Sequence, residues 1–342
     1  MKMPRRPRRQ RRQTSEAIFM DQHINRRQFL GRASALAVCG GAIGSLVTSG
    51  RAPAQSTKPA TLGVSLNAYS FNKLLLDDLA KPGSGITLMA LLDYAAAAKF
   101  DAIDPTGYYF PGYPKRPDDA YIDALKHKAA DLGLAISGTG VRNNFTYSDK
   151  SVRDADLQII KDWIEVAARL GAPVLRVFAD TQKGLTWQQV AKGFTSDQVQ
   201  EWIIADLREC TDHAKQFGVR IGVQNHGDFL RTAQDVLALL DAVNSPWCGA
   251  IVDIGSFKSP DPYADIAALA PRAVNWQIKQ SLAGADAHSP PDLPRLMRLI
   301  RVSGYHGYLP IETLIPASSL ADQESQISAF LAQVRYAIVQ TA

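Results

Sequence analysis

From residue 61 onward, short apolar runs alternate with longer stretches in which apolar residues recur every three or four positions. Short runs bounded by Gly, Pro, Asn or Asp predict buried strands, and the three-to-four spacing predicts helices with one buried face. Eight strands are expected, over residues 62–66, 101–104, 134–138, 173–178, 219–224, 249–253, 273–278 and 307–312. Their starts lie 24 to 46 residues apart, room for a crossover helix in every interval, so the strands should run parallel. The helices carry their own punctuation. Ile203, Leu207, Cys210, Ala214 and Phe217 repeat at three and four before Gly218, as Ile122, Leu125, Ala129 and Leu132 do before Gly133. Thr232 with Asp235 forms a capping-box pattern, and Asp261-Pro262 pairs an N-cap with a first-turn proline. The longest stretch without a pattern is the 17 residues 181–197, which contain Trp187 and are expected to cover the site as a lid.

Eight βα units suit either a closed barrel or an open doubly wound sheet. Polar residues gather at the C-terminal ends of the later strands, the face on which a barrel builds its site, and this favours the barrel. The expected class is therefore α/β, a single (β/α)8 TIM barrel over residues 55–342, with no internal boundary or repeat.

Residues 1–54 read differently. Asn25-Arg26-Arg27-Gln28-Phe29-Leu30 is a twin-arginine pattern, followed by a weakly apolar stretch over 33–47 and a small-residue cleavage site at Ala52-Pro53-Ala54. The stretch is too short and glycine-rich to span a membrane. A leader that engages the Tat export machinery is expected, with residues 1–19 preceding a true start at Met20, and the mature chain should be periplasmic or otherwise exported. This changes the meaning of the charge. Residues 1–19 contribute +6 and 20–54 contribute +3 to a total of +5, so the chain from Gln55 carries −4. The basic balance belongs to the leader, and no nucleic-acid partner is expected. Cys210 and Cys248, both in apolar contexts, read as buried thiols rather than a disulfide or metal pair.

Strands five to eight end in Gln224-Asn225-His226, Asp253, Gln277 with Lys279, and Glu312. Gln224, Asp253, Gln277 and Glu312 offer four oxygen donors at adjacent strand ends, spaced to hold one divalent ion. Oxygen donors favour Mn2+ or Mg2+ over zinc. Each residue alone also has a plainer role, as a turn cap, a backbone partner or a solvated carboxylate. Nearer the start of the chain, Asn67, Asp104, Arg142 and Arg176 lie at strand ends where they could contact a substrate, as does Ser256 just after Asp253. Tyr108, Tyr109 and Phe110 either stack on a flat face of a ligand or pack a loop.

The segments at 219–226, Val252-Asp253-Ile254-Gly255-Ser256, Trp276-Gln277-Ile278-Lys279 and Leu309-Pro310-Ile311-Glu312 resemble the metal-site strands of xylose isomerase-like sugar isomerases and epimerases. The resemblance runs over essentially the whole mature chain and implies a metal held by Glu, Asp, His and Glu, whose two glutamates move protons on opposite faces of a substrate carbon. Asp253 and Glu312 match that set. Gln224 stands in place of the first Glu, Gln277 in place of the His, and Ser256 where a substrate-binding His is common. An amide accepts no proton near neutral pH, so the remaining acid/base candidates are Glu312, His226 and Lys279. Two roles are open to His226, proton transfer or orientation of its neighbours, and two to Lys279, a contact to substrate or an ion pair with Glu312 or Asp253.

The resemblance implies a metal-dependent isomerase or epimerase acting next to the carbonyl of a non-phosphorylated carbohydrate. A lyase or hydrolase of 3-keto-glycosides, which needs one base, and a sugar-binding protein with a degenerate site are the alternatives. An endonuclease on the same barrel fits neither the histidine supply nor the acidic mature chain.

Overall fold

The computed structural model describes residues 62–180, 184–282, 289–315, 317 and 319–342. The expected leader, with its arginine pair and apolar stretch, lies outside the described residues.

The described residues contain nine strands: β1 Gly63–Asn67, β2 Ala102–Asp104, β3 Ala135–Ile136, β4 Thr139–Gly140, β5 Val174–Phe178, β6 Arg220–Gln224, β7 Cys248–Asp253, β8 Ala273–Lys279 and β9 Tyr308–Glu312. They pair in the order β3-β2-β1-β9-β8-β7-β6-β5-β4, every pair parallel. The end strands β3 and β4 are consecutive in the chain, with only Ser137 and Gly138 between them. The sheet therefore closes on itself as a single TIM barrel whose third strand is in two pieces. That differs from the unbroken strand expected over 134–138, and the cause lies across the barrel. Asn275 of β8 donates its Nδ2 to the Ser137 carbonyl at 3.1 Å, and the Ser65 and Ser137 hydroxyls lie 2.7 Å apart. The Ser137 N–H still donates to the Ile103 carbonyl at 2.9 Å, so the pairing with β2 runs one residue further, while the Ser137 carbonyl is taken by Asn275.

The helices are α1 Asn72–Ala80, α2 Leu88–Ala97, α3 Asp119–Asp131, α4 Lys150–Leu170, α5 Trp187–Ala191, α6 Ser196–Phe217, α7 Ala233–Val243, α8 Pro262–Leu269, α9 Leu293–Val302 and α10 Leu320–Gln340. Their buried faces meet the outward side chains of the strands, with Leu66, Leu91, Ile103, Ile122, Trp163 and Trp276 fully enclosed. Arg153 and Asp206, both buried and 2.9 Å apart, fasten α4 to α6. Cys210 and Cys248 are free and buried, and burial pushes both thiols up, Cys248 to about 12, so neither is reactive at neutral pH. Among the described residues no helix is long and apolar enough to cross a membrane.

The punctuation holds. Thr232 caps α7 in a reciprocal box with Asp235, Asp261 caps α8 ahead of Pro262, and Gly218 ends α6 with φ at 69°. Thr232→Ala is expected to lower unfolding free energy by about 1 kcal/mol in a denaturant titration. The patternless stretch is a different matter. Within its described part, Thr186 and Gln189 cap the short helix α5, and α6 begins at Ser196. The Trp187 ring packs edge to face on Phe229, with centroids 5.4 Å apart, and its backbone N–H bonds the Asp228 carboxylate. Trp187 is thus tied to the loop that follows β6.

Candidate active site

A strand turns alternate side chains to opposite faces, so residues two apart share the barrel interior. On β8 this puts Asn275, Gln277 and Lys279 inside, and the register sets Gln277 beside Asp253 and Lys279 beside Glu312. All of these, with Gln224 and Arg176, are buried.

The centre of the group is the Lys279 ammonium. Its Nζ donates to Asp253 Oδ2 at 2.8 Å and lies 3.3 Å from Glu312 Oε1. Asp253 is saturated: Oδ2 also accepts from Gln224 Nε2 at 2.6 Å and Ser256 Oγ at 2.7 Å, and Oδ1 from the Gly255 N–H at 3.0 Å. Asn225 turns away from the mouth and clamps the strand ends, accepting from the Asp253 N–H at 2.8 Å and donating to its carbonyl at 2.9 Å.

Gln224 is held from both sides. Arg176 Nη1 donates to its Oε1 at 3.2 Å, while its Nε2 donates to Asp253 and, at 2.8 Å, to Gln277 Oε1. A guanidinium only donates and an ionised carboxylate only accepts, so the amide has one consistent orientation. Arg176 also donates to the Tyr108 hydroxyl at 2.7 Å and stacks over the Phe178 ring at 4.7 Å. Its passage depends on Gly140, where an added Cβ would lie 2.5 Å from Arg176 Nε. Gly140→Ala is expected to displace the guanidinium, free the Gln224 amide and cost about 1–3 kcal/mol, read by denaturation.

The two carboxylates are driven apart electrostatically. Burial pushes Asp253 up, but the Lys279 charge and the bonds from Lys279 and Ser256 outweigh it and hold the group below the ordinary range. Burial pushes Glu312 up, and Lys279 does not reverse that. Burial also opposes the Lys279 charge, yet Asp253 and Glu312 keep it above the usual lysine range. Asp104, at the end of β2, is pushed by burial up to about 6 against the pull of Arg176.

The remaining predicted residues fall into place less directly. His226 stacks on Phe178 with centroids 5.0 Å apart, its Nδ1 is buried without a hydrogen-bond partner, and burial lowers its pKa to about 4. Asn67 Oδ1 accepts the Tyr69 N–H and caps the turn after β1. Arg142 is exposed and lies over the Tyr108 ring at 4.6 Å. Ser256 serves Asp253. Tyr109 and Phe110 are packing residues: the Tyr109 hydroxyl bonds Asn72, and Phe110 packs on Trp163.

Asp180 and Asp228 escaped the sequence reading. Asp228 donates its backbone N–H to Asp180 Oδ2 at 3.0 Å, and burial, with the Asp228 carboxyl beside it, pushes Asp180 up to about 8. Between His226 and Asp228, Gly227 has φ at +84°, and a Cβ there would fall 1.3 Å from Asp180 Oδ1. An aspartate two residues beyond a strand end, facing a glycine next to a histidine, was the available signal.

Residues 92–332 match the family model described as Xylose isomerase-like TIM barrel. The chain belongs to that family. Among solved structures it is similar to a D-psicose 3-epimerase determined in the presence of D-fructose, at 13% identity and a TM-score of 0.68, covering 81% of this chain and 99% of that one. It also resembles a 3-keto-D-glucoside 4-epimerase from E. coli, at 16% identity and 0.63 over 81% and 100% of the two chains. A D-allulose 3-epimerase from Methylomonas sp. is comparable, at 17% identity and 0.63 over 82% and 99%. At these identities the likeness speaks for a shared fold.

The divalent ion that the resemblance implied does not fit the residues of this family member. Asp253 and Glu312 are the carboxylates of the proposed set, and the Lys279 ammonium already bridges them. Gln224 turns its NH2, a donor, toward Asp253, and its oxygen is committed to Arg176. Among the described residues no group of three His, Cys, Asp or Glu is placed to hold a metal ion. Two cations, Lys279 and Arg176, already face Asp253, Glu312 and the weakly acidic Asp104, and an added double charge would be buried without compensation.

Proposed function

We propose that the chain is an isomerase- or epimerase-like enzyme that removes the proton next to the carbonyl of a non-phosphorylated carbohydrate. The observation that carries this reading is the pair Asp253 and Glu312, which share one ammonium while their surroundings push their acidities in opposite directions. Such a split assigns roles. Asp253, saturated and held below the ordinary carboxylate range by Lys279, anchors that ammonium. Glu312, made more basic by burial, takes the proton. Arg176 and Tyr108, joined by a hydrogen bond, and Asp104 at the end of β2 offer hydrogen bonds to hydroxyls and orient the ring.

The substrate class draws support from the three neighbours above, which their names describe as sugar epimerases. The leader supports export through the Tat machinery to the periplasm or beyond, and export argues against a phosphorylated sugar. One observation favours a second reading. Gln224, where a second base would stand, carries an amide bound to Arg176 and Asp253 and moves no proton. A single base suffices to expel an aglycone from a 3-keto-glycoside, so a lyase on this barrel is the alternative.

The test is incubation in deuterated water with a panel of free and 3-keto sugars, followed by NMR. Deuterium uptake next to the carbonyl supports the carbon-acid reading, and a released aglycone would select the lyase. Sugar binding without exchange across the panel would sink both and leave a binding protein.

A further inference from the structure

We propose that the Lys279 ammonium is the resident cation of this site and is the group that stabilises negative charge on the substrate oxygen, in the place the fold would give to a divalent ion.

Three observations meet here. The ammonium lies between Asp253 Oδ2 and Glu312 Oε1, at 2.8 and 3.3 Å, so it occupies the ground between the two carboxylates that match a metal-binding set. The other two positions of that set are amides, and the Gln224 amide, pinned by Arg176, shows the carboxylates a donor. The Gln224 Nε2 also bonds Gln277 Oε1, which turns the second amide inward onto the first. The four side chains are thus joined through the internal positive charge in one continuous chain, Glu312–Lys279–Asp253–Gln224–Gln277. An ammonium has three donors, of which Asp253 and Glu312 account for two, and the third is the one offered to substrate.

The chemistry rests on the carbohydrate reading above and balances without a further reactant. The Glu312 carboxylate takes the proton from the carbon next to the carbonyl. The C–H electron pair becomes a C=C bond, and the carbonyl π pair moves onto oxygen, where the ammonium and the Arg176 guanidinium face the new negative charge. Return of the proton to carbon restores the sugar. In the lyase variant the oxygen pair re-forms the carbonyl, the C=C pair moves to make a new double bond to the neighbouring carbon, and the aglycone leaves that carbon with its bonding electrons and takes the proton held by Glu312. Charge is conserved throughout, from carboxylate to enolate.

Two measurements on the full chain test the assignment. Metal analysis of the purified protein, with Mn2+ titration followed by electron paramagnetic resonance, is expected to show no stoichiometric ion, and a chelator should leave the melting temperature unchanged. One tightly held Mn2+ per chain in the wild-type protein would overturn the proposal. Lys279→Ala opens the ground between two carboxylates and is expected to gain Mn2+ affinity while losing exchange by about 100-fold or more. Exchange within about threefold of wild type in that variant would also overturn it, the range left by loss of a weak exposed contact. If Lys279→Ala fails to fold, the wild-type titration decides alone. The two readings fail separately: exchange that appears only with Mn2+ sinks the lysine assignment and keeps the carbon-acid reaction, whereas a metal-free protein that exchanges nothing keeps the resident cation and sinks the reaction.

Discussion

Glu312→Gln is expected to lower proton exchange next to a substrate carbonyl by about 10²- to 10⁴-fold, the share that a positioned general base supplies. The replacement keeps the shape of the side chain and an oxygen facing Lys279, 3.3 Å away in the wild-type protein, and removes only the capacity to accept a proton. Asp253→Asn is the instructive contrast. Asp253 receives Lys279, Gln224, Ser256 and the Gly255 N–H, so its loss should cost stability as well as rate. Glu312→Gln should leave the denaturation midpoint near wild type or above it, because it removes a buried charge that burial disfavours. Wild-type exchange in Glu312→Gln, measured by NMR in deuterated water, would take the base away from this residue.

The second large effect lies in the dependence of stability on pH. Asp104 has a folded pKa of about 6 against an ordinary 3.8. The folded state then holds its proton where the unfolded chain has lost it, so this group costs stability as pH rises from about 4 to 6. His226 works in the opposite direction. Its folded pKa of about 4 lies below the ordinary 6.5, so the unfolded chain gains a proton first and stability falls as pH drops from 6.5 to 4. At 1.4 kcal/mol per pH unit each contribution is about 3 kcal/mol, and the two nearly cancel. Single variants separate them. Relative to wild type, Asp104→Asn should gain about 3 kcal/mol as pH rises through that window, and His226→Gln should gain a similar amount as pH falls. Urea titrations at several pH values provide the difference curves, in which the other titrating groups drop out. Parallel curves for all three proteins would show that these two groups are not buried as described.

Much of this architecture was written in local sequence. Strand positions followed from apolar runs, the caps from Thr232, Asp261 and Gly218, and the polar ends of the later strands pointed to one mouth. What escaped was decided by residues far away in the chain. The break in the third strand depends on Asn275 reaching Ser137, 138 positions earlier. The orientation of Gln224 depends on Arg176, 48 positions before it, and that orientation separates a ligand from a donor. Lys279 had two readings because its partners sit on other strands; the register of β8 with β9 brings it to Glu312. The Asp180 and Asp228 pair was invisible for the same reason, since neither residue is unusual until Gly227 lets the chain bring them together.

The divided third strand gives the barrel a clasp. Eight of its nine strand junctions are ladders, while the ninth is the short passage through Ser137 and Gly138, lying opposite β8 in the strand order. The strands that hold Lys279, Asp253 and Glu312 are laddered on both sides, whereas β3 pairs only with β2 and β4 only with β5. Amide hydrogen exchange should be fastest across 135–140 among the strands and slowest in β6 to β8. A hoop built this way should open first at the clasp while the charged groups opposite keep their spacing.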